Sequence, residues 1–253
     1  VRARCARRSG ANHVLSGTCP MVPGAAGADQ LLVAATLTDG GTGVWVLPRS
    51  TPGLRLAPCM LVNGARAADV TLDAVSVPAS TLLGDNENAA DAVALVIDRA
   101  IAALSADAVG ALNAIVTTTV EYTRTRVQFG QPLAKFQALQ HRMVEMKVRE
   151  EEARASCLLA TLSLAAPAAQ RARAISGAKA KIGRSARWVH QAAIQLHGAI
   201  GTTQELALGA YAKRLLAYEV LFGSTREHLR RYAALIADPQ LAAQGLLVET
   251  TGS

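Results

Sequence analysis

Residues 126–146, RVQFGQPLAKFQALQHRMVEM, determine how the second half of this sequence is organised. Gly130 and Pro132 interrupt two stretches in which apolar residues recur at the spacing of an amphipathic helix. The stripe before the break comprises Leu104, Ala108, Ala111, Leu112 and Ile115. The stripe after it comprises Met143, Met146, Ala153 and Cys157. The segment therefore predicts a tight connection between two long antiparallel helices, the second running from about residue 135 to residue 164.

The helical pattern continues to about residue 237. A third helix is predicted over about 170–197, with glycines in GAIG (198–201) suited to a C-terminal turn, and shorter helices over 203–221 and 224–237. Four or five antiparallel helices with short connections predict an up-and-down, four-helix-bundle-like domain. The tail after Asp238 is expected to form another short helix or to fray.

The first part of the sequence has a different periodicity. Residues 11–88 contain short runs rich in Val, Leu and Thr, separated by turn signals such as DGGTG and TPG. This pattern predicts a small antiparallel β-barrel or sandwich. The fold class is thus α+β and multidomain, with a middle β-domain at 1–88 and a helical bundle domain at 89–253.

Composition restricts the function classes. The sequence contains no apolar run long enough to span a membrane, and its four scattered cysteines form no CxxC pair or other metal-binding pattern. The net charge is +7, of which residues 1–88 carry +1 (7 basic, 6 acidic) and the remainder +6. The basic region suits an anionic ligand such as a phosphorylated cofactor, ordinary solvated helix faces or, as a remote option, nucleic acid. We expect a cytoplasmic protein with no metal site.

Six segments resemble the acyl-CoA dehydrogenase family in their order and spacing. They are LSGTCPMVPGAAGAD (15–29), RSTPGLRLAP (49–58), DVTLDAVSVPASTLLGD (69–85), the opening segment, QLHGAIGTTQE (195–205) and AYEVLFGST (217–225). The resemblance covers nearly all of residues 10–237. The family's N-terminal helical domain has no counterpart here, and the sequence lacks an initiator methionine, so we expect an N-terminal portion to be missing.

The resemblance implies a flavin enzyme that removes two hydrogens from an acyl-CoA thioester. In the family a glutamate abstracts the α-proton while FAD accepts a hydride from the β-carbon. The enzyme is usually a tetramer, and each FAD is shared between two subunits. One subunit supplies the flavin pocket and the base, and its neighbour holds the ADP end.

The half that a chain lends to its neighbour is preserved. By resemblance, Arg126, Gln128 and Phe129 reach into the neighbour's FAD site. A guanidinium can pair with pyrophosphate through two hydrogen bonds, and glycine allows the backbone to approach a ligand closely. The other cofactor-binding candidates of this half are Gln195 and Gly198, which match the glutamine and first glycine along the adenosine part, and Gly201, which matches the last glycine of that turn. Their alternative interpretation is a surface arginine and helix-capping glycines. In the chain's own half, Ser224 falls at the position of a threonine that contacts FAD.

The half that serves the chain's own site is altered. The family's tryptophan-isoleucine-threonine segment, which packs beside the flavin ring, is replaced by Met21-Val22-Pro23. The two family positions for the catalytic glutamate fall on Phe222 and Ala100, so the catalytic residue is unknown. Glu219 is the tentative substitute base, and Asp98, two residues before Ala100, is a second acid to consider.

Further departures from the family pattern are Ile101, at a position that is often arginine, and Ala199, at the second glycine of the turn. His197 and Trp188 are interpreted as packed residues.

The resemblance therefore implies a subunit of an FAD-dependent acyl-CoA dehydrogenase that lacks its own base and completes the FAD site of a related partner subunit, and we expect the assembly to be a tetramer. By analogy with heteromeric bacterial members of the family, we expect a bulky, steroid-type CoA thioester and an electron-transfer acceptor. Two alternatives stay open: an active homomeric enzyme with a relocated base, and a non-enzymatic binding or scaffold protein.

Overall fold

The computed structural model describes residues 2–38, 40–84, 89–203 and 205–238. The tail predicted after Asp238 lies outside these residues, as does the segment 85–88. The chain divides into two compact units, Val1–Ala94 and Leu95–Ser253. Each is described by itself below.

The first unit is built on one six-stranded sheet. Its strands are β1 (Arg2–Ser9), β2 (Asn12–Pro23), β3 (Gln30–Leu37), β4 (Thr42–Pro48), β5 (Leu54–Met60) and β6 (Arg66–Pro78), in the order β4-β3-β1-β2-β6-β5. Strands β1 and β2 form a hairpin. On the other side of β2, strand β6 pairs antiparallel with β2, and β5 pairs antiparallel with β6.

The expectation of a purely antiparallel sheet is corrected at one pair, because β1 and β3 are parallel. Strand β2 runs opposite to β1, and the chain then reverses through the short 3-10 helix Ala25–Gly27 before β3 pairs on the other side of β1. Two reversals restore the direction of β1. The sheet domain is confirmed, whereas its closure into a barrel or sandwich stays a prediction.

Alternation of side chains gives the sheet its core. Strands β3 and β4 bury every second residue, as expected for a sheet with one covered face. The largest fully buried side chains of this core are Trp45, Leu15 and Leu47.

The second unit is helical. Helix α1 (Ala90–Thr125) begins at the end of the first unit, and the short hairpin strands β7 (Val127–Gln128) and β8 (Gln131–Pro132) separate it from α2. The remaining helices are α2 (Gln137–Leu162), α3 (Ala168–His197), α4 (Leu208–Val220) and α5 (Thr225–Ala237). Helix α4 begins at Leu208, later than the predicted residue 203, and residues 198–202 form a separate 3-10 helix.

Helix α3 is the most buried of these helices, and α2, α4 and α5 all pack against it. The predicted stripe of α1 is buried at Ala108, Ala111, Leu112 and Ile115, which share one core with Met146, Ala153 and Cys157 of α2. The helical domain is confirmed, and the up-and-down order of the bundle stays a prediction. Among the described residues, no helix combines the length and apolarity needed to cross a bilayer.

Candidate functional site

The hairpin between α1 and α2 presents an aromatic ring to solvent. Phe129 and Gly130 occupy its two-residue turn with φ of 53° and 80°, and the amide of Leu133 donates to the carbonyl of Arg126 at 2.9 Å. Two successive positive φ angles are typical of a type I′ hairpin turn. Phe129 is 89% exposed, and its ring stands at 90° to the ring of Phe136 with the centroids 6.1 Å apart. The predicted FAD-contacting phenylalanine therefore stands at the tip of a defined turn.

Four of the predicted cofactor-binding residues line one cleft of about 500 Å³. They are Arg126 and Gln128 from the hairpin, and Gln195 and Gly198 from the end of α3. The cleft is within the size range of small-molecule sites. It is also lined by Arg142 of α2, and none of the described Asp or Glu residues contributes to its wall. The cleft thus has two cationic side chains and suits an anionic ligand.

One wall of the cleft is a stacked aromatic pair. The rings of Tyr122 and His197 lie 4.4 Å apart with a 23° angle between their planes, and the Tyr122 hydroxyl donates to the His197 carbonyl at 3.3 Å. Nδ1 of His197 lies 2.9 Å from the Ala193 carbonyl and donates a hydrogen bond to it. Nε2 is buried without a hydrogen-bond partner. His197 is therefore a packed residue that also shapes the cleft.

The two glycines of the turn after α3 have different local roles. Gly198 adopts φ 68° and ψ −145°, a conformation that is essentially restricted to glycine. Gly201 does not line the cleft, and a Cβ there would lie 2.9 Å from the His197 Cβ and 3.0 Å from the Ile194 carbonyl. Close packing against α3 is enough to require glycine at 201.

The loop between α4 and α5 contains no acid at the expected base position. Phe222 stands there with φ 55° and is 44% exposed. The fully buried His228 donates from Nε2 to the Phe222 carbonyl at 2.9 Å, and burial lowers the pKa of His228 to about 4. A Cβ at Gly223 (φ 103°) would lie 3.0 Å from His228 Nε2. The neutral imidazole of His228 thus holds the loop in place through its hydrogen bond to the backbone of Phe222.

Ser224 caps helix α5. Its hydroxyl oxygen accepts from the Glu227 amide at 3.3 Å, while the Glu227 carboxylate accepts from the Ser224 amide at 2.6 Å, which makes a reciprocal capping box. The Ser224 backbone hydrogen bond lowers the pKa of Glu227. Ser224 does not line the cleft, and its hydroxyl has a local structural role in this chain.

The tentative substitute base, Glu219, is engaged in structural contacts. Its Oε1 accepts from the Thr225 amide at 3.1 Å and its Oε2 from the Thr225 hydroxyl at 2.7 Å. Arg187 lies 3.5 Å from Oε1. Gly183 of α3 makes room for this pair, since a Cβ there would collide with the Thr225 hydroxyl and lie 2.8 Å from Glu219 Oε2.

Asp98, the second acid, is buried between two arginines. Its Oδ2 accepts from Arg171 Nε at 2.9 Å, and its Oδ1 lies 3.5 Å from a terminal nitrogen of Arg231, which also donates to the Ser176 hydroxyl. These contacts connect α1, α3 and α5. Its neighbour Ala100, the other family base position, is half-buried on α1.

Close to the loop, a buried lysine adds a positive charge. Lys179 of α3 is 1% exposed; its ammonium donates to the Tyr218 carbonyl and lies 3.7 Å from the centroid of the Tyr218 ring. Burial lowers the pKa of Lys179 to about 8, against the opposing effect of Glu219 and Glu227. Sequence reasoning missed this residue, although its place four residues after Ile175 and three before Ile182 puts it on the buried stripe of α3.

The segment that replaces the family's flavin-packing residues belongs to the sheet unit. Met21 is 56% exposed with φ 50°, and its amide donates to the Asp69 carboxylate at 2.7 Å. Pro23 pairs with Ala67 at the end of β2 and has no N–H. At positions 21 and 23 the backbone therefore offers no free N–H donor to a flavin.

Sequence reasoning also missed Arg142 and Tyr122 as cleft residues. Arg142 lies inside the opening segment, one turn after Leu139, and its guanidinium carbon is 5.8 Å from the centroid of the Trp188 ring. The signal available in the sequence was its place in the segment 126–146, three residues after the apolar Leu139. Within the described ranges, no group of three or more His, Cys, Asp or Glu residues is placed to hold a metal ion.

Comparison with known proteins gives a family match and several relatives. The family model described as acyl-CoA dehydrogenase, C-terminal domain, matches residues 92–236. Acyl-CoA dehydrogenase IpdE2 of Mycolicibacterium smegmatis is 38% identical over 156 residues, which cover 62% of this chain and 46% of that protein. The chain thus spans about half the length of this curated relative.

Solved structures extend the likeness to both units. A variant of the Tcur3481-Tcur3483 steroid ACAD is 29% identical with a TM-score of 0.82, over 93% of this chain and 63% of the compared chain. The ChsE4-ChsE5 complex from Mycobacterium tuberculosis has a TM-score of 0.85 over the same shares, and its 22% identity shows the fold alone. Since the family model matches more than half of the residues, this chain belongs to the acyl-CoA dehydrogenase family.

Proposed function

We propose that this chain is a subunit of an FAD-dependent acyl-CoA dehydrogenase that lends its cleft and hairpin to the FAD of a partner subunit and has no catalytic base of its own. The observation that carries the proposal is the contrast between two sets of residues. Arg126, Gln128, Gln195 and Gly198 line one cationic cleft. Phe222 and Ala100 stand at the base positions, and neither can accept a proton.

The contacts of the two candidate substitute acids support this division. Glu219 already accepts two hydrogen bonds from Thr225, and Asp98 is paired with Arg171. A general base must come within hydrogen-bond reach of the proton that it removes. Moving either carboxylate to a substrate would break contacts that hold α5 in place. These contacts favour a structural role for both acids, and they weigh against a homomeric enzyme with a relocated base.

The residues fit the two ends of FAD differently. The ADP end is an anion that could be held by the Arg126 guanidinium, with Gln128 and Gln195 as further hydrogen-bonding groups. The flavin end needs backbone or hydroxyl donors, whereas the Met21 amide is bound to Asp69 and Pro23 has no donor. When bound, the flavin supplies hydride acceptance. This chain's residues bind and orient its diphosphate end, and the partner's half supplies the base.

The partner inferred is a related acyl-CoA dehydrogenase subunit that carries the glutamate, in a heteromeric, tetrameric assembly. One solved relative is described by a two-part name as a steroid ACAD, which supports a bulky CoA thioester as the substrate class. Reduced flavin would pass its electrons to an electron-transfer acceptor.

Two preparations test the proposal: the chain purified alone, and the chain co-purified with a family member that has the glutamate. We expect no flavin absorbance or turnover from the first and both from the second. Arg126→Gln should lower flavin retention in the pair at least tenfold. The matched control Arg124→Gln, an exposed arginine in the last turn of α1 that does not line the cleft, should change it less than twofold. Flavin retention and turnover by the single chain would refute the proposal.

A further inference from the structure

The cleft contains a second cation that the family motifs do not account for. Arg142 lines it together with Arg126. Neither guanidinium forms an ion pair with any described residue. Other charged residues of α2 are paired: Arg149 with Glu145 at 2.8 Å, and Arg154 with Glu150 at 2.6 Å. Arg142 is therefore distinguished on its own helix by an unneutralised charge.

The contact that Arg142 does make is weak. Its guanidinium carbon lies 5.8 Å from the Trp188 centroid, near the limit for a cation–π interaction, whereas Arg149 lies 4.4 Å from the same ring and is fixed by Glu145. Arg142 is exposed, so a ligand can attract it at small cost in lost contacts. Arg149, in contrast, is held in place and does not line the cleft.

We propose that Arg142 is a second phosphate-binding residue, so that Arg126 pairs with one phosphate of a diphosphate ligand and Arg142 with the other. Guanidinium groups form strong, directional hydrogen bonds with phosphate oxygens. Two guanidinium groups can each contact a different phosphate group of a diphosphate, whereas a monophosphate offers only one, and no described carboxylate lines the cleft to compete for them. The inference rests on the proposed function, because it assigns a new residue to the cleft that would hold the ADP end of the cofactor.

Binding of ADP and of AMP to the full chain, measured by isothermal titration calorimetry, tests this assignment. Arg142→Gln should weaken ADP binding at least tenfold and AMP binding less than threefold, since AMP has a single phosphate group, which Arg126 contacts. Arg142→Lys, which keeps the charge but loses the planar fork, should fall between wild type and Arg142→Gln. The matched control Arg149→Gln removes a cation from the same helix and the same tryptophan, and should change ADP binding less than twofold.

FAD and coenzyme A both contain an ADP moiety, and competition distinguishes them. Displacement of ADP by FAD at lower concentration than by coenzyme A assigns the diphosphate to the flavin cofactor, and the reverse order assigns it to the acyl carrier. In either case, loss of the preference for ADP over AMP in Arg142→Gln supports the role of Arg142 in binding the second phosphate.

Three results would overturn the inference. One is unchanged ADP binding by Arg142→Gln alongside weakened binding by Arg126→Gln, which leaves the proposed function intact. Another is an equal loss of ADP and AMP affinity, which indicates a general structural effect. The third is no binding of either nucleotide by the wild-type chain; the proposed function is then judged separately, from flavin retention by the co-purified pair.

Discussion

Thr225 donates both its backbone N–H and its hydroxyl to the carboxylate of Glu219, at 3.1 and 2.7 Å. Glu219 lies near the end of α4 and Thr225 is the first residue of α5. A carboxylate that accepts the first amide of a helix satisfies one of its unpaired donors and stabilises the positive end of its dipole. The pair therefore joins α4 to α5 across the loop that holds Phe222.

Neutralising this carboxylate should affect stability rather than catalysis. Glu219→Gln keeps one acceptor and loses the charge, so we expect the free energy of unfolding to fall by about 1–2 kcal/mol in urea titrations. Turnover of the co-purified pair should change less than twofold. A drop of a hundredfold or more in turnover with unchanged stability would instead identify Glu219 as a catalytic base.

Gly183 should be intolerant of a single methyl group. A Cβ at 183 would meet the Thr225 hydroxyl and Glu219 Oε2, so Gly183→Ala should separate the pair and lower stability by about 1–3 kcal/mol. Gly110 of α1 is the matched control, because a Cβ there meets nothing within 4 Å. Gly110→Ala should be neutral or stabilising by up to about 1 kcal/mol, as helix propensity predicts. Equal effects at the two positions would contradict this account.

Removal of the Asp98 charge should be costly. Asp98→Asn would leave Arg171 and Arg231, whose side chains are 11% and 12% exposed, without their counter-charge. Loss of one member of a buried ion pair typically costs about 3–5 kcal/mol. The control, Asp107→Asn, breaks a solvent-exposed pair with Arg214 and should cost about 1 kcal/mol or less. Urea midpoints of the two variants that coincide would disprove the special role of Asp98.

Acid should destabilise the fold partly through His228. Its pKa in the folded chain is about 4, below the ordinary value of 6.5, because burial disfavours the imidazolium. The unfolded chain therefore binds more protons between these pH values, and the free energy of unfolding should decrease as pH falls from 6.5 towards 4, by at most about 1.4 kcal/mol per pH unit. Lys179 and Arg231 also disfavour the charged form, while the Phe222 carbonyl and Glu227 favour it.

The variant His228→Gln should have a shallower decrease in stability over the same pH range, since it removes the titrating group. The control His141→Gln replaces an exposed histidine of α2 and should keep the wild-type slope. Identical slopes for wild type and His228→Gln would show that other groups govern the acid response.

Local signals explain what could be predicted from sequence. Gly130 and Pro132 mark the hairpin and the apolar stripes mark the helices, because both depend on residues close together in the chain. The grouping of Arg126 and Gln128 with Gln195 came from the family resemblance, since periodicity does not bring residues some 70 positions apart into one cleft.

Features that depend on distant partners were missed. The parallel pairing of β1 and β3 requires the chain path around β2, which the alternation of single strands does not specify. The environment of Arg142 depends on Trp188 of α3, and the engaged state of Glu219 depends on the space left by Gly183. Ser224 is the N-cap of α5, a role that its sequence pattern with Glu227 already allowed, and its contact with FAD stays a prediction.

The ring at the tip of the β7–β8 hairpin has one further consequence. Phe129 has almost no cover from its own chain, so the free energy gained by removing its surface from water is available only when another molecule encloses it. A ligand that Phe129 helps to bind is therefore retained by the association of this chain with the second molecule, and not by the folding of this chain alone. Dilution should release this ligand at protein concentrations at which the two molecules separate but the helices of this chain are still folded.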